Sequence, residues 1–117
     1  MTTRKQHVGQ WGEQVAAEYL SGQGYKIIGR NIRTPRGEID LVVESGGVTI
    51  FVEVRTLSSS RMALPEETIT HHKRSRMLAA EDYSGLHGIQ NWQIDAISVE
   101  GKPGSTPTIT HFENVLP

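Results

Sequence analysis

The chain of 117 residues contains no cysteine, which excludes disulfide bonds, thiolate metal sites and a cysteine nucleophile. It has no apolar run long enough to span a membrane, and none near its start that reads as a signal peptide, so the cytoplasm is the expected compartment. It also lacks the excess of positive charge that advertises nucleic-acid binding. The formal net charge is −1, and any such function has to rest on local patches. Internal repeats and low-complexity segments are absent as well. What is there, 36% hydrophobic and 21% charged residues, is ordinary for a soluble globular protein, and the length suits one domain over residues 1–117 rather than two.

The most informative stretch runs from Gly37 to Arg55, GEIDLVVESGGVTIFVEVR, and reads as two strands around a glycine turn. Ile39, Leu41 and Val43 alternate with Glu38, Asp40, Val42 and Glu44, the period of a strand with two different faces. Val48 to Val54 is nearly continuous β-branched and aromatic sequence, as in a strand covered on both sides. Gly46 and Gly47 suit a two-residue type I′ turn, whose central positions both need φ > 0. With that turn Ser45 faces Val48, so Asp40 is predicted to face Glu53, and Glu38 to face Arg55. Facing side chains in an antiparallel pair have Cβ atoms roughly 4.5–5.5 Å apart, and two carboxylates there repel unless something neutralises them. A break of a local rule inside an apolar hairpin tends to mark a functional site. A hard divalent cation is the simplest remedy, since Mg²⁺ is commonly held by one or two carboxylates plus water. Two alternatives stay open. Glu38, Glu53 and Arg55 would also make a structural salt-bridge cluster, and a three-residue loop would shift the register by one and part Asp40 from Glu53.

Upstream, His7 to Ser21 has helical spacing of Val8, Trp11, Val15 and Tyr19, with Ala16 and Leu20 one step round, and Gly22 and Gly24 to end it. Gly9 and Gly12 weaken that helix and so point to close packing or a close ligand; Glu13 beside them, off the Val8–Val15 line, reads by itself as a solvated glutamate. Tyr25 to Ile32 reads as a strand. Between Lys26 and Arg36 lie four basic residues (Lys26, Arg30, Arg33 and Arg36) and no acidic one. Such a patch is a solvated face or, next to two carboxylates, a place for phosphates. Downstream, Thr56 to Leu64 is polar and aperiodic, a loop by composition. A helix follows, starting at Pro65-Glu66-Glu67 or capped by Thr70, and running to Tyr83 or Ser84. Ile69, Lys73, Met77 and Ala80 share one of its stripes, placing Lys73 on a face expected to lie against the sheet, with Arg74 and Arg76 to either side. Trp92 to Val99 is a buried-type strand interrupted by Asp95, expected to pair with an arginine or with backbone donors; Thr108 to Phe112 makes a last short strand.

The order helix, three strands, helix, two strands implies an α/β structure with a single mixed sheet and a helix on each face, in which Val48–Val54 and Trp92–Val99 run parallel. The pattern GEID, ten residues, FVEVR resembles the PD-(D/E)xK nuclease core. More narrowly, Gly9-x-x-Gly12-Glu13, Ala17-x-Tyr19-Leu20, Gly24-Tyr25, Asn31-x-Arg33, Gly37 to Leu41 and Phe51 to Val54 resemble the YraN-type family of small endonuclease-like proteins related to Holliday-junction resolvases. That resemblance implies an αβββαβ core with a further strand, and cleavage of DNA, branched DNA included. It implies Mg²⁺ or Mn²⁺ on Asp40, Glu53 and the Val54 carbonyl, with Glu38 and Glu13 as further or supporting donors. Arg55 and Lys73 are then the cationic candidates at the reacting phosphate, and Arg30, Arg33, Arg36 and Arg74 the candidate DNA contacts; a homodimer is allowed for. One departure matters: the superfamily pattern has lysine where this chain has Arg55, and arginine stays charged and cannot act as a general base.

Overall fold

The computed structural model describes residues 3–57 and 66–115. Helix α1 (Arg4–Gly22) begins earlier than the apolar periodicity suggests. The reason is a capping box: the Thr3 hydroxyl accepts from the Gln6 N–H at 3.1 Å, and the Thr3 N–H donates to Gln6 Oε1 at 2.8 Å. Strands β1 (Lys26–Thr34), β2 (Gly37–Ser45) and β3 (Val48–Leu57) follow, then helix α2 (Glu66–His87) and strands β4 (Trp92–Glu100) and β5 (Thr108–Phe112). Thr56 and Leu57 thus extend β3 rather than open a loop, and the rest of the expected loop, with Pro65, lies outside the described residues. Thr70 is interior to α2 and is not its cap.

The sheet order is β1-β2-β3-β4-β5, antiparallel except for the parallel β3–β4 pair that α2 connects. This is the mixed α/β sheet expected from the element order. Each helix covers one face. Under α1, Ala16, Ala17 and Leu20 pack on Leu41, Val43, Ile50, Val52, Ile97 and Val99. Under α2, Ala79 and Ala80 pack on Ile39, Val42, Phe51 and Ile94. Alternate residues of β3 therefore feed opposite cores, which is why its sequence is apolar throughout.

Of the stripe expected on α2, Ala80 lies on the buried face and Lys73 and Met77 do not. Lys73 and Met77 are exposed, Ala79, Ala80 and Ser84 are buried, and the side chain of Ile69 lies outside those described. Small residues let the helix sit close to the sheet, and the larger ones are left to the rim.

The glycine pair of α1 divides in function. A Cβ on Gly12 would collide with the Thr56 side chain of β3, whereas one on Gly9 would meet nothing within 4 Å. Gly12 thus serves close packing and Gly9 does not. Gly9→Ala should accordingly stabilise the fold by about 0.5–1 kcal/mol through helix propensity, while Gly12→Ala should cost about 1–3 kcal/mol by overpacking. Urea unfolding of the two variants checks the opposite signs.

Candidate metal centre

Gly46 and Gly47 adopt φ of 57° and 80°, and the β2–β3 register runs from Ser45–Val48 to Leu41–Val52 as the type I′ turn dictates. At the next position the backbone ladder gives way. Asp40 turns its carboxylate on β3, and its Oδ2 accepts from the Val54 N–H at 2.8 Å. The alternation of β2 breaks at the same residue. Ile39 belongs to the core under α2 and Leu41 to the core under α1, although residues two apart in a regular strand share a face.

Asp40 and Glu53 do come together, and α2 supplies the cation between them. Arg76 Nε lies 3.2 Å from Glu53 Oε2, and its Nη2 lies 3.9 Å from Asp40 Oδ2. Arg55 Nε takes the other oxygen, Glu53 Oε1, at 3.2 Å. The Glu53 side chain is only 6% exposed and that of Asp40 17%, so these are screened little by water. Glu38, expected opposite Arg55, instead registers with Arg33 of β1, and no Glu38–Arg55 ion pair is present among the described residues.

The electrostatics remain unfavourable to the anions. Burial, above all, raises the Asp40 carboxyl above its ordinary value; the Val54 N–H and Arg76 oppose this, while Glu53 and Glu38 reinforce it. Glu13, projecting from α1, is raised likewise, first by burial and next by the charge of Asp40, against a hydrogen bond from Asn31. Asn31 falls opposite Asp40 in the β1–β2 register and holds φ at 49°, a left-handed conformation that asparagine tolerates better than most residues. Backbone strain of this kind gathers where a site over-determines it.

Arg76 and Asn31 are the two residues of the site that sequence reasoning undervalued. A polar asparagine within strand sequence was a usable signal for Asn31. For Arg76 there was none, because three basic residues share that turn of α2 and only docking selects one. The basic candidates separate as follows. Lys73 makes no ion pair among the described residues but lines a cavity of about 250 Å³ together with Glu53, Arg55, Arg76, Ile94, Ala96 and Phe112. Arg30 and Arg33 are exposed, and Arg30 donates to Gln14 Oε1 at 2.7 Å. Arg36 is not available as expected: it is tied to α2 through Asp82 at 2.8 Å and Glu81 at 3.5 Å. Arg74 is exposed and does not line the cavity.

Asp95 is fully buried, and its partner is not an arginine. Oδ2 pairs with His111 Nε2 at 2.8 Å, and Oδ1 accepts from the Asn114 N–H and from Gln93 Nε2, each at 2.9 Å. One donor atom each from Asp95, His111 and Glu113 falls within a 4.8 Å cluster; among the described residues, no three of Asp40, Glu53, Glu38 and Glu13 gather so closely.

Residues 12–99 match the model of the uncharacterised protein family UPF0102, and the chain belongs to that family. A UPF0102 protein of Dehalococcoides mccartyi is 41% identical over 103 residues, covering 86% of this chain and 85% of the relative. One of Leifsonia xyli subsp. xyli is 38% identical over 118 residues, covering 97% and 98%. Among solved structures, Pyrococcus furiosus SfsA in complex with Ca²⁺ superposes with a TM-score of 0.42 at 15% identity; the match covers 91% of this chain and 62% of that one.

The raised carboxyl of Asp40 has a pH signature. A group whose folded pKa lies above its unfolded value favours the fold below the unfolded pKa and opposes it as pH rises through the folded one. Asp40→Asn, which mimics the protonated form, should therefore raise the urea midpoint at about pH 7, with the gain vanishing by about pH 3. An unchanged difference across that range would mean that Arg76 fully compensates Asp40.

Proposed function

We propose that the chain is a metal-dependent nuclease hydrolysing phosphodiester bonds in DNA, branched DNA included. The observation that carries this reading is the meeting of Asp40 and Glu53 at Arg76, beside a cavity with three cationic side chains. Carboxylate oxygens form a donor set for a hard divalent cation, Mg²⁺ or Mn²⁺. Asp40 and Glu53 would hold it, with the Val54 carbonyl as the further oxygen that the family resemblance implies, and Glu38 and Glu13 as extra or supporting donors. The fit has a physical sign: Asp40 and Glu13 are both raised from their ordinary values, by burial first and in part by neighbouring carboxylates. A bound ion there supplies Lewis acidity and lowers the pKa of its water.

The chain's own residues do the rest. Arg76, 3.2 Å from Glu53 and lining the cavity, would offer its guanidinium to a phosphate oxygen. Arg55 keeps its proton at any working pH, so it stabilises charge on the phosphate and does not act as a base. Lys73 brings a further cationic side chain to the cavity. Arg30 and Arg33 contact flanking phosphates from β1; Arg36, committed to Asp82, contributes less. Cytoplasmic DNA as substrate agrees with the lack, among the described residues, of a helix able to cross a membrane, and a homodimer belongs to the same reading.

One observation favours a second reading, a non-catalytic nucleic-acid-binding or scaffold protein on the same fold. Both oxygens of Glu53 already have guanidinium partners. Nicking assays on linear, flapped and four-way DNA, with and without Mn²⁺, separate the two. Arg55→Lys should keep or raise cleavage, and Arg55→Ala should lower it by roughly 10²–10³-fold, the scale for losing one group that stabilises developing charge. Metal-independent background in wild type, with Mn²⁺ binding absent by calorimetry, would leave the binding protein as the surviving reading.

A further inference from the structure

The β4–β5 register runs from Glu100–Thr108 to Ala96–Phe112. Beyond the last pair of the ladder, an oxygen of Glu113 comes within 4.8 Å of donor atoms of Asp95 and His111. Asp95 is on the other face of the sheet from Glu53 and Arg76, because it shares the side of Ile97 and Val99, the core under α1. His111 lies on that side too, its ring 5.8 Å from Tyr19 and 6.1 Å from Tyr25.

The pair of Asp95 with His111 accounts for the buried aspartate. It does not account for Glu113, which is exposed and yet turned to bring an oxygen into the 4.8 Å cluster. The backbone around it is fixed on both sides. His111 is in the ladder with Ile97, Asn114 takes a left-handed φ of 51° so that its N–H reaches Asp95 Oδ1, and the Val115 N–H donates to the Ile94 carbonyl at 2.8 Å. Asp95 Oδ1 is doubly held, which leaves Oδ2 aimed at the imidazole. The Tyr25 hydroxyl donates to Glu113 Oε1 at 3.5 Å.

We propose that Asp95, His111 and Glu113 form a binding site for a divalent transition-metal ion of the Zn²⁺ class. One imidazole nitrogen with two carboxylate oxygens suits such borderline ions, whereas Mg²⁺ and Ca²⁺ prefer oxygen alone. The outer-shell contacts that orient metal ligands are already made: Gln93 and Asn114 hold Asp95, and Tyr25 holds Glu113. The ion would clamp β5, five residues long and at the sheet edge, to β4. Phe112, on the opposite face of β5, and Val115 beyond it line the cavity next to Glu53, so the clamp also sets one wall of that cavity.

The test is calorimetric titration of metal-stripped protein with ZnSO₄ for wild type, Asp40→Asn, Glu113→Gln and His111→Gln, with the imidazole resonances of His111 followed by NMR. Asp40→Asn, whose other centre is disabled, should bind one ion, and in it as in wild type the His111 ring signals should shift in a way that a hundredfold excess of Mg²⁺ does not reverse. Glu113→Gln and His111→Gln should each weaken binding by about tenfold or more. Glu113 is exposed, so its variant keeps the fold and decides the matter if His111→Gln does not. Zn²⁺ affinity equal to wild type in Glu113→Gln, static His111 signals, or loss of binding in Asp40→Asn would overturn the site. The last outcome would move Zn²⁺ to the Asp40–Glu53 centre, and failure of cleavage alone leaves the proposal standing.

Discussion

Asp40 is a carboxylate taken out of water in the middle of a sheet, and much of the molecule is arranged around that cost. At an effective dielectric of about 20, two unit charges 4 Å apart interact by about 4 kcal/mol, so a second carboxylate on Glu53 cannot be ignored. Two devices offset the conflict: the Val54 N–H, freed from the β2–β3 ladder where it ends, and Arg76 of α2. Neither wins outright, since burial still holds the Asp40 carboxyl above its ordinary value.

The two layers of the fold meet at this point. From α1 comes Glu13, from α2 comes Arg76, and Asp40 stands where β2 passes from one core to the other between Ile39 and Leu41. The left-handed Asn31 of β1 sits at the same level and bonds Glu13. A perturbation of either helix is therefore felt at the carboxylates. Close packing through Gly12 on one side, and through Ala79 and Ala80 on the other, keeps both helices near enough to contribute.

Charge is distributed to the same end. With a net charge of −1 the protein offers no general attraction to nucleic acid, and one of the β1 arginines, Arg36, is neutralised by Asp82 and Glu81. Positive charge is gathered instead around the cavity beside Glu53, in Arg55, Lys73 and Arg76. Local placement, rather than overall charge, sets the potential there.

The sequence by itself determined the element order, the mixed sheet and the hairpin register. Those follow from periodicity and from a glycine pair that admits one turn type, both of which are local. It also determined that Asp40 and Glu53 would be neighbours. It did not determine what lies between them. Lys73, Arg74 and Arg76 are within one turn of α2, and which of them reaches Glu53 depends on how the helix rolls on Val42 and Phe51. The start of α1 likewise turned on one side-chain cap at Thr3. His111 could be matched to Asp95 only once β5 had paired with β4, sixteen residues away along the chain. Local chemistry is read from neighbours in sequence, whereas the partner of a buried charge is chosen by packing, which sums weak contacts over the whole fold.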